Sequence, residues 1–219
     1  MLKAVIFDFD GTLADTLPAL TEGINLTLAH FGHPTHTEAE VRTYINNGAR
    51  ALCRRALPAS YREDEAYLDR FHAAYEGFYA TVYHHTDTPY EGIYELLSAL
   101  RAKGMRIGVL SNKGDASLSQ MCANIFSEGQ IDAVQGVLEG HPTKPDPYLT
   151  HRLAERLGVR ATECLMVGDS AVDVRTARNA GMRHVGVSWG FGSAEQIREA
   201  GGRCIIDRPA ELLSLLSTL

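Results

Sequence analysis

Two aspartates one residue apart, Asp8 and Asp10, come at the end of a short apolar run in the stretch AVIFDFDGTLADT, residues 4–16. Two carboxylates beside an apolar strand repel each other and lose hydration, so the pair is stable only when a cation or a shared proton compensates the charge. A hard divalent ion such as Mg²⁺ takes carboxylate and carbonyl oxygens and leaves positions for a substrate phosphate. The pair therefore indicates a metal site.

Further polar residues lie at the ends of other predicted strands or at the start of a helix. Ser111 and Asn112 follow IGVL, Asp169 follows CLMVG, Asp173 comes one helical turn later, and Lys144 directly precedes a helix. Taken singly, each has an ordinary explanation as a turn former, a helix cap or a surface residue. Ligands of an open parallel α/β sheet bind beyond the C-terminal ends of its strands, so we expect these residues to converge on the aspartate pair.

The elements that must position these residues alternate between strand and helix after residue 92. Strand patterns appear in VIFD, MRIGVLSN, AVQGVL, ECLMVGD, HVGVS and CIID. Helical patterns separate them, including GIYELLSALRAKG, closed by Gly104, and PDPYLTHRLAERLG, with proline predicted in its first turn. Such alternation predicts an α/β fold with a Rossmann-like three-layer core, a mostly parallel sheet and right-handed crossovers.

The segment between the first strand and the first core helix differs in character. Residues 17–83 carry helix-period patterns and no convincing strand, and HHTDTPYEG, residues 84–92, is turn-rich and is predicted to be a linker. We therefore expect an all-helical domain over residues 15–87, inserted into a core formed by residues 1–14 and 88–219.

Composition limits the class of partner. The 219 residues include 21 Lys and Arg against 27 Asp and Glu, a net charge of −6, so neither a nucleic-acid nor an anionic-membrane partner is expected. Four scattered cysteines form no metal-binding pattern and are predicted to be free thiols. No segment has a signal-peptide layout or the length of a membrane span, so we expect a cytoplasmic protein.

Four motifs carry a family resemblance. DFDGTLADT, VLSNK, KPDPY and VGDSAVDV match, in order and in spacing, the four motifs of the haloacid-dehalogenase-like hydrolase superfamily, and the match covers essentially the whole predicted core. The helical insert resembles the cap domain that this superfamily places after its first motif. The resemblance implies Mg²⁺-dependent hydrolysis of a small phosphomonoester through an aspartyl-phosphate.

The resemblance also implies a role for each motif residue. Asp8 is the expected nucleophile, and Asp10 the expected general acid and then general base, with its backbone carbonyl on the metal. Ser111 and Lys144 are expected to hold the transferring phosphoryl group. The implied metal ligands are Asp8, Asp10, Asp169 and Asp173. The implied donors around the phosphate are Gly11, Thr12 and Asn112.

The insert bears on the substrate. In NNGARALCRRAL, residues 46–57, Gly48 and Arg50 lie at a predicted break before a helix, and Arg50 could pair with a substrate carboxylate, although an exposed surface role is equally compatible with the sequence. This stretch, with PYEGI and VSWGFGS, resembles the phosphoglycolate phosphatases of the superfamily, whose substrate is a small carboxylated phosphomonoester. Similar caps occur in phosphatases for other small phosphates and for pyrophosphate.

Several rival functions follow from the same motifs. Asp10 argues against a haloacid dehalogenase, which protonates no phosphoester leaving group, and the absence of lysine between Leu17 and Tyr83 argues against a phosphonate hydrolase. A phosphotransferase resembling β-phosphoglucomutase remains open. A receiver domain would need neither Asp10 nor a cap, and a non-catalytic binding protein would not need the intact motifs. The sequence leaves a monomer and a homodimer equally open.

Overall fold

The structure is a computed structural model that describes residues 1–86 and 88–217. The chain forms two compact units, one made of Met1–Asp15 with Pro89–Leu219 and the other of Thr16–Thr88. Two short strands, β2 (Ala14–Asp15) and β3 (Thr88–Pro89), make up a two-stranded sheet at the points in the sequence where the chain leaves and re-enters the larger unit.

The larger unit is built on a six-stranded sheet in which every neighbouring pair of strands is parallel. Its strands are β1 (Ala4–Phe7), β4 (Arg106–Gly114), β5 (Ala133–Val137), β6 (Cys164–Gly168), β7 (Arg183–Val187) and β8 (Ile205–Ile206). Their spatial order is β5-β4-β1-β6-β7-β8, and Phe7 in the central strand is level with Val109 and Val167 in its two neighbours. The predicted α/β fold with a parallel sheet is confirmed.

Five helices precede the later strands along the chain, α5 (Ile93–Ala102), α6 (Asp115–Ile125), α7 (Tyr148–Arg156), α8 (Ala171–Ala180) and α9 (Ala194–Glu199), and α10 (Glu211–Leu215) follows β8. Ile6 and Met166 are fully buried in one core cluster with Leu153 of α7. Val5 and Phe7, which alternate with Ile6 along β1, are buried as well. Side chains on both faces of β1 are therefore buried, as in a strand that is covered on both faces of its sheet. This explains why the sequence of β1 is an unbroken apolar run.

Helix ends follow local chemistry, with one departure from prediction. Gly181 closes α8 in the left-handed conformation, as expected for a glycine after a helix. Proline was predicted inside the first turn of α7, and this was wrong by one position, because Pro147 is the cap residue and the helix begins at Tyr148. A proline just before or just inside a helix start removes a backbone N–H that would have no partner within the helix.

The smaller unit is helical. It contains α1 (Leu17–His30), α2 (Glu38–Tyr44), α3 (Ala49–Ala56), a 3₁₀ turn (Ala59–Tyr61) and α4 (Glu65–Thr86). Its two longest helices, α1 and α4, pack together and bury Ile24, Leu28, Phe71 and Tyr75. The predicted linker from His84 was wrong for residues 84–86, which continue α4, and Asp87 lies outside the described residues.

All four cysteines are free, as predicted, and Cys53, Cys122 and Cys164 are buried. Among the helices that the structure describes, none combines the length and the apolar character that crossing a bilayer would need.

Candidate active site

Three buried carboxylates meet at the C-terminal edge of the sheet. Asp8 directly follows β1, and its backbone N–H donates to Val167 in β6 at 2.9 Å. Asp169 follows β6 itself, and Asp173 lies in the first turn of α8. One carboxylate oxygen from each of the three aspartates lies within 4.8 Å of the others. The parallel register therefore brings together three side chains that are distant in sequence.

Lys144 is the cation of this cluster. Its ammonium lies 2.9 Å from Oδ1 of Asp8 and 2.8 Å from Oδ1 of Asp173, with the lysine side chain only 3% exposed. Asn112 fixes the lysine backbone from β4, since its amide donates to the Lys144 carbonyl at 3.1 Å and its side-chain oxygen accepts the Lys144 N–H at 2.8 Å. Asn112 thus positions the lysine in this geometry, whereas the sequence predicted it as a phosphate donor.

Burial and mutual repulsion shift the pKa values of the clustered side chains. Burial raises the pKa of Asp8 well above its usual value, with the Asp173 charge adding to the effect. Burial and the same neighbour raise the pKa of Asp169 to about 6. Burial acts in the same direction on Asp173, but the Lys144 ammonium outweighs it and lowers the pKa of Asp173. For the lysine, the attraction of Asp173 and Asp8 outweighs burial and raises its pKa.

When ionised, these three aspartates and one lysine have a formal charge of −2. Three carboxylates offer hard oxygen ligands, the kind that Mg²⁺ prefers. A divalent cation among them would remove the mutual repulsion that raises the pKa of Asp8 and Asp169. The donor set and its charge therefore fit a hard divalent metal ion.

A loop after β7 orients Asp169. The backbone N–H groups of Phe191 and Gly192 donate to its Oδ2 at 2.7 and 3.1 Å. Thr12 donates its hydroxyl to Oδ1 of Asp169 at 3.3 Å, so this predicted phosphate donor contacts a candidate metal ligand. The sequence of VSWGFGS indicated a family resemblance but did not predict these hydrogen bonds to Asp169.

Glycines allow this close approach. Gly11 has φ +77°, and a Cβ at that position would lie 2.6 Å from Oδ2 of Asp169. A Cβ on Gly190 would overlap the carbonyl oxygen of Gly11, and one on Gly168 would lie 2.5 Å from Oδ2 of Asp173. The loops around the carboxylates are therefore packed so closely that side chains at these positions would displace them.

Asp10 lies outside the three-carboxylate cluster and has its own partners. Its Oδ2 accepts a hydrogen bond from the Ser111 hydroxyl at 3.2 Å, and its Oδ1 lies 3.2 Å from the ammonium of Lys113. The Ser111 oxygen in turn accepts the backbone N–H of Lys113 at 3.2 Å. Lys113 belongs to the second motif, VLSNK, and the sequence predicted no role for it.

The two predicted residues of the helical insert belong to the smaller unit. Gly48 caps α3 with φ +81°, which agrees with the predicted break before a helix. The Arg50 guanidinium donates to Asp69 and, at 2.6 Å, to Glu65, both on α4. Arg50 is therefore already ion-paired with carboxylates of the chain itself, and a substrate carboxylate would have to compete with them.

Comparison with known proteins gives one consistent family. Residues 5–187 match the family model of the haloacid dehalogenase-like hydrolases. The chain is 38% identical to a phosphoglycolate phosphatase of Rhodospirillum rubrum, over 97% of this chain and 90% of that protein. It is 32% identical to the phosphoglycolate phosphatase of Yersinia pestis, over 97% and 92%. The crystal structure of a predicted phosphoglycolate phosphatase from Haemophilus somnus superposes with a TM-score of 0.89, at 27% identity and 98% coverage of both chains.

Proposed function

The chain belongs to the haloacid dehalogenase-like hydrolases, and we propose that it is a Mg²⁺-dependent phosphatase that hydrolyses 2-phosphoglycolate through an aspartyl-phosphate intermediate. The observation that carries the chemistry is the cluster of Asp8, Asp169 and Asp173 around Lys144. The substrate is inferred from relatives named phosphoglycolate phosphatase that align over nearly the whole chain.

In the first half of the proposed reaction, a carboxylate oxygen of Asp8 attacks phosphorus. An acyl-phosphate bond forms, and the bond from phosphorus to the glycolate oxygen breaks. The ammonium of Lys144 and the backbone N–H of Phe9, at 2.9 and 2.7 Å, hold one oxygen of this carboxylate and so orient it. Orientation matters because phosphoryl transfer depends mainly on positioning and charge stabilisation.

Asp10 supplies and then removes the proton. As general acid it protonates the departing glycolate oxygen; as general base it takes a proton from the water that attacks the phosphorus of the acyl phosphate. That second attack releases inorganic phosphate and regenerates the Asp8 carboxylate. The Ser111 hydroxyl, 3.2 Å from Asp10, supports the orientation of this carboxyl group.

Both a bound metal ion and Lys144 would neutralise negative charge at the site. Asp8, Asp169, Asp173 and the backbone carbonyl of Asp10 would hold the metal. When bound, Mg²⁺ supplies positive charge that lets an anionic carboxylate approach an anionic phosphate. Lys144, buried between two of these carboxylates, adds a fixed positive charge and is proposed to contact the phosphoryl oxygens as well.

The proposal also covers the role of each unit, the cellular location of the protein and its oligomeric state. We assign catalysis to the larger unit and propose that the helical unit, Thr16–Thr88, is a cap that selects the leaving group, with Gly48 and Arg50 as its candidate substrate contacts. We also propose a cytoplasmic enzyme that acts on a free metabolite, either as a monomer or as a homodimer.

A panel of phosphomonoesters tests the proposed substrate. We would measure kcat/KM for phosphate release from 2-phosphoglycolate, pyrophosphate, sugar phosphates and nucleotides, with Mg²⁺ and with excess chelator. Metal-dependent release with strong preference for 2-phosphoglycolate is expected. Equal rates across the panel would refute the narrow substrate, and isomerisation of a sugar phosphate without release of phosphate would point to a phosphotransferase.

A further inference from the structure

Lys113 is a mostly buried cation beside the proposed general acid. Its ammonium lies 3.2 Å from Oδ1 of Asp10, and its side chain is only 10% exposed. It lies near the end of β4, two residues after Ser111, and its backbone N–H donates to the Ser111 hydroxyl oxygen. The chemistry proposed above assigns no role to this charge.

The position of Asp10 indicates which part of a substrate Lys113 faces. A general acid must come within hydrogen-bond reach of the leaving oxygen. A cation in contact with that acid therefore lies on the leaving-group side of the reacting phosphorus. Lys144, by contrast, contacts Asp8 and Asp173, the side on which the nucleophile and the metal ligands lie.

The leaving group of 2-phosphoglycolate carries a charge that matches this placement. One methylene carbon separates its ester oxygen from its carboxylate, so a group that reaches the ester oxygen brings the carboxylate close to the neighbours of that group. An ammonium has three N–H donors, so contact with Asp10 is compatible with binding a second carboxylate. A charge-assisted hydrogen bond at a mostly buried position is stronger than one in water.

We propose that Lys113 binds the carboxylate of the leaving group and so determines specificity for acidic phosphomonoesters. The inference rests on the proposed function and names the residue within the catalytic unit that recognises the substrate acid. It differs from the sequence-based expectation for Arg50, whose guanidinium is already paired with Asp69 and Glu65.

The test compares two substrates that differ in the charge of the leaving group alone, 2-phosphoglycolate and its neutral amide, 2-phosphoglycolamide. For Lys113→Met we expect kcat/KM on 2-phosphoglycolate to fall by about 10- to 100-fold, mainly through KM, since a hydrogen bond between charged groups is lost. The loss on the amide should be several times smaller. Lys113→Arg, which keeps the charge, should recover part of the preference for the acid.

Lys103→Met is the matched control, because Lys103 is an exposed lysine after α5 and its replacement should change neither rate. If Lys113→Met lowers kcat equally on both substrates, Lys113 acts only by holding Asp10, and the inference is overturned. Unchanged kinetics would overturn it as well. A wild-type protein that hydrolyses other phosphomonoesters but not 2-phosphoglycolate would instead overturn the proposed function together with this inference.

Discussion

Lys144→Met should make the stability of the larger unit depend on a divalent metal. Methionine keeps most of the lysine side-chain length and removes its charge, while Asp8, Asp169 and Asp173 stay buried within 4.8 Å of one another. The formal charge of the ionised cluster then becomes more negative by one unit, and two carboxylates lose a partner at 2.9 and 2.8 Å. In the absence of metal nothing in the cluster replaces that cation.

The size of the effect follows from the burial of the pair. Breaking a buried ion pair by removing one partner costs about 3–5 kcal/mol. For a chain of this length, 1 kcal/mol shifts the melting temperature by roughly 2–4 °C, so we expect a drop on the order of 10 °C in chelator. Added Mg²⁺ should recover a larger share of stability in the variant than in the wild type, because the cation replaces the missing charge.

Thermal unfolding of wild type, Lys144→Met and Lys103→Met, each in chelator and in Mg²⁺, measures this effect. The exposed Lys103 substitution controls for the loss of a lysine and should leave the curves unchanged. Equal melting temperatures for wild type and Lys144→Met in chelator would refute the reasoning that Lys144 balances buried carboxylates. So would an equal stabilisation of both proteins by Mg²⁺.

Three more changes test other parts of the account. Asp8→Asn is nearly isosteric and should abolish phosphate release while circular dichroism shows the fold intact; retained turnover would exclude Asp8 as the nucleophile. Gly190→Ala places a Cβ 2.6 Å from Oδ2 of Asp169 and should destabilise by roughly 1–3 kcal/mol in urea unfolding, whereas Gly77→Ala, where the Cβ meets open space, should not destabilise. Asp132→Asn should cost roughly 1–3 kcal/mol at neutral pH, because it removes the negative charge that accepts the Ile107 N–H at 2.8 Å and pairs with two arginines. Burial raises the pKa of Asp132, but the hydrogen bond and the two arginines outweigh burial and lower that pKa. The contribution of Asp132 to stability is therefore present above about pH 4 and is lost as the pH falls through the lowered pKa. A stability difference between wild type and Asp132→Asn that persists unchanged at pH 2 would contradict this assignment.

The strand ends explain why much of the site was predictable. Asp8 and Asp169 each end an apolar run, and parallel strands place such ends at one edge of a sheet. Asp173 was expected from its place one helical turn after Asp169, and Lys144 from its place before a helix; the structure adds that Asp173 accepts hydrogen bonds from Ser170. These residues are positioned mainly by the regular elements next to them in sequence, so periodicity and spacing contain the information.

Contacts made by loops were not predictable in the same way. The hydrogen bonds from Phe191 and Gly192 to Asp169 join segments that are more than twenty residues apart, and neither loop has a repeating pattern. The ion pair between Lys113 and Asp10 likewise joins residues about a hundred positions apart, the end of β4 and the turn after β1, and no local pattern in the sequence pairs them. The continuation of α4 through residues 84–86 is a smaller case, because extending an existing helix by a few residues is easier than starting one, so a turn-like composition need not end it.

The dependence of hydrolysis on the carboxylate cluster can be measured directly. Metal-free wild type and Asp169→Asn would be titrated with Mg²⁺ while phosphate release from 2-phosphoglycolate is followed. We expect no release in chelator, saturation of the wild type by Mg²⁺, and at least a roughly tenfold higher half-saturating concentration for the variant, since a charged ligand is lost. Full activity in chelator, or the same half-saturating concentration for both proteins, would contradict the assignment of these aspartates as the metal site of a phosphatase.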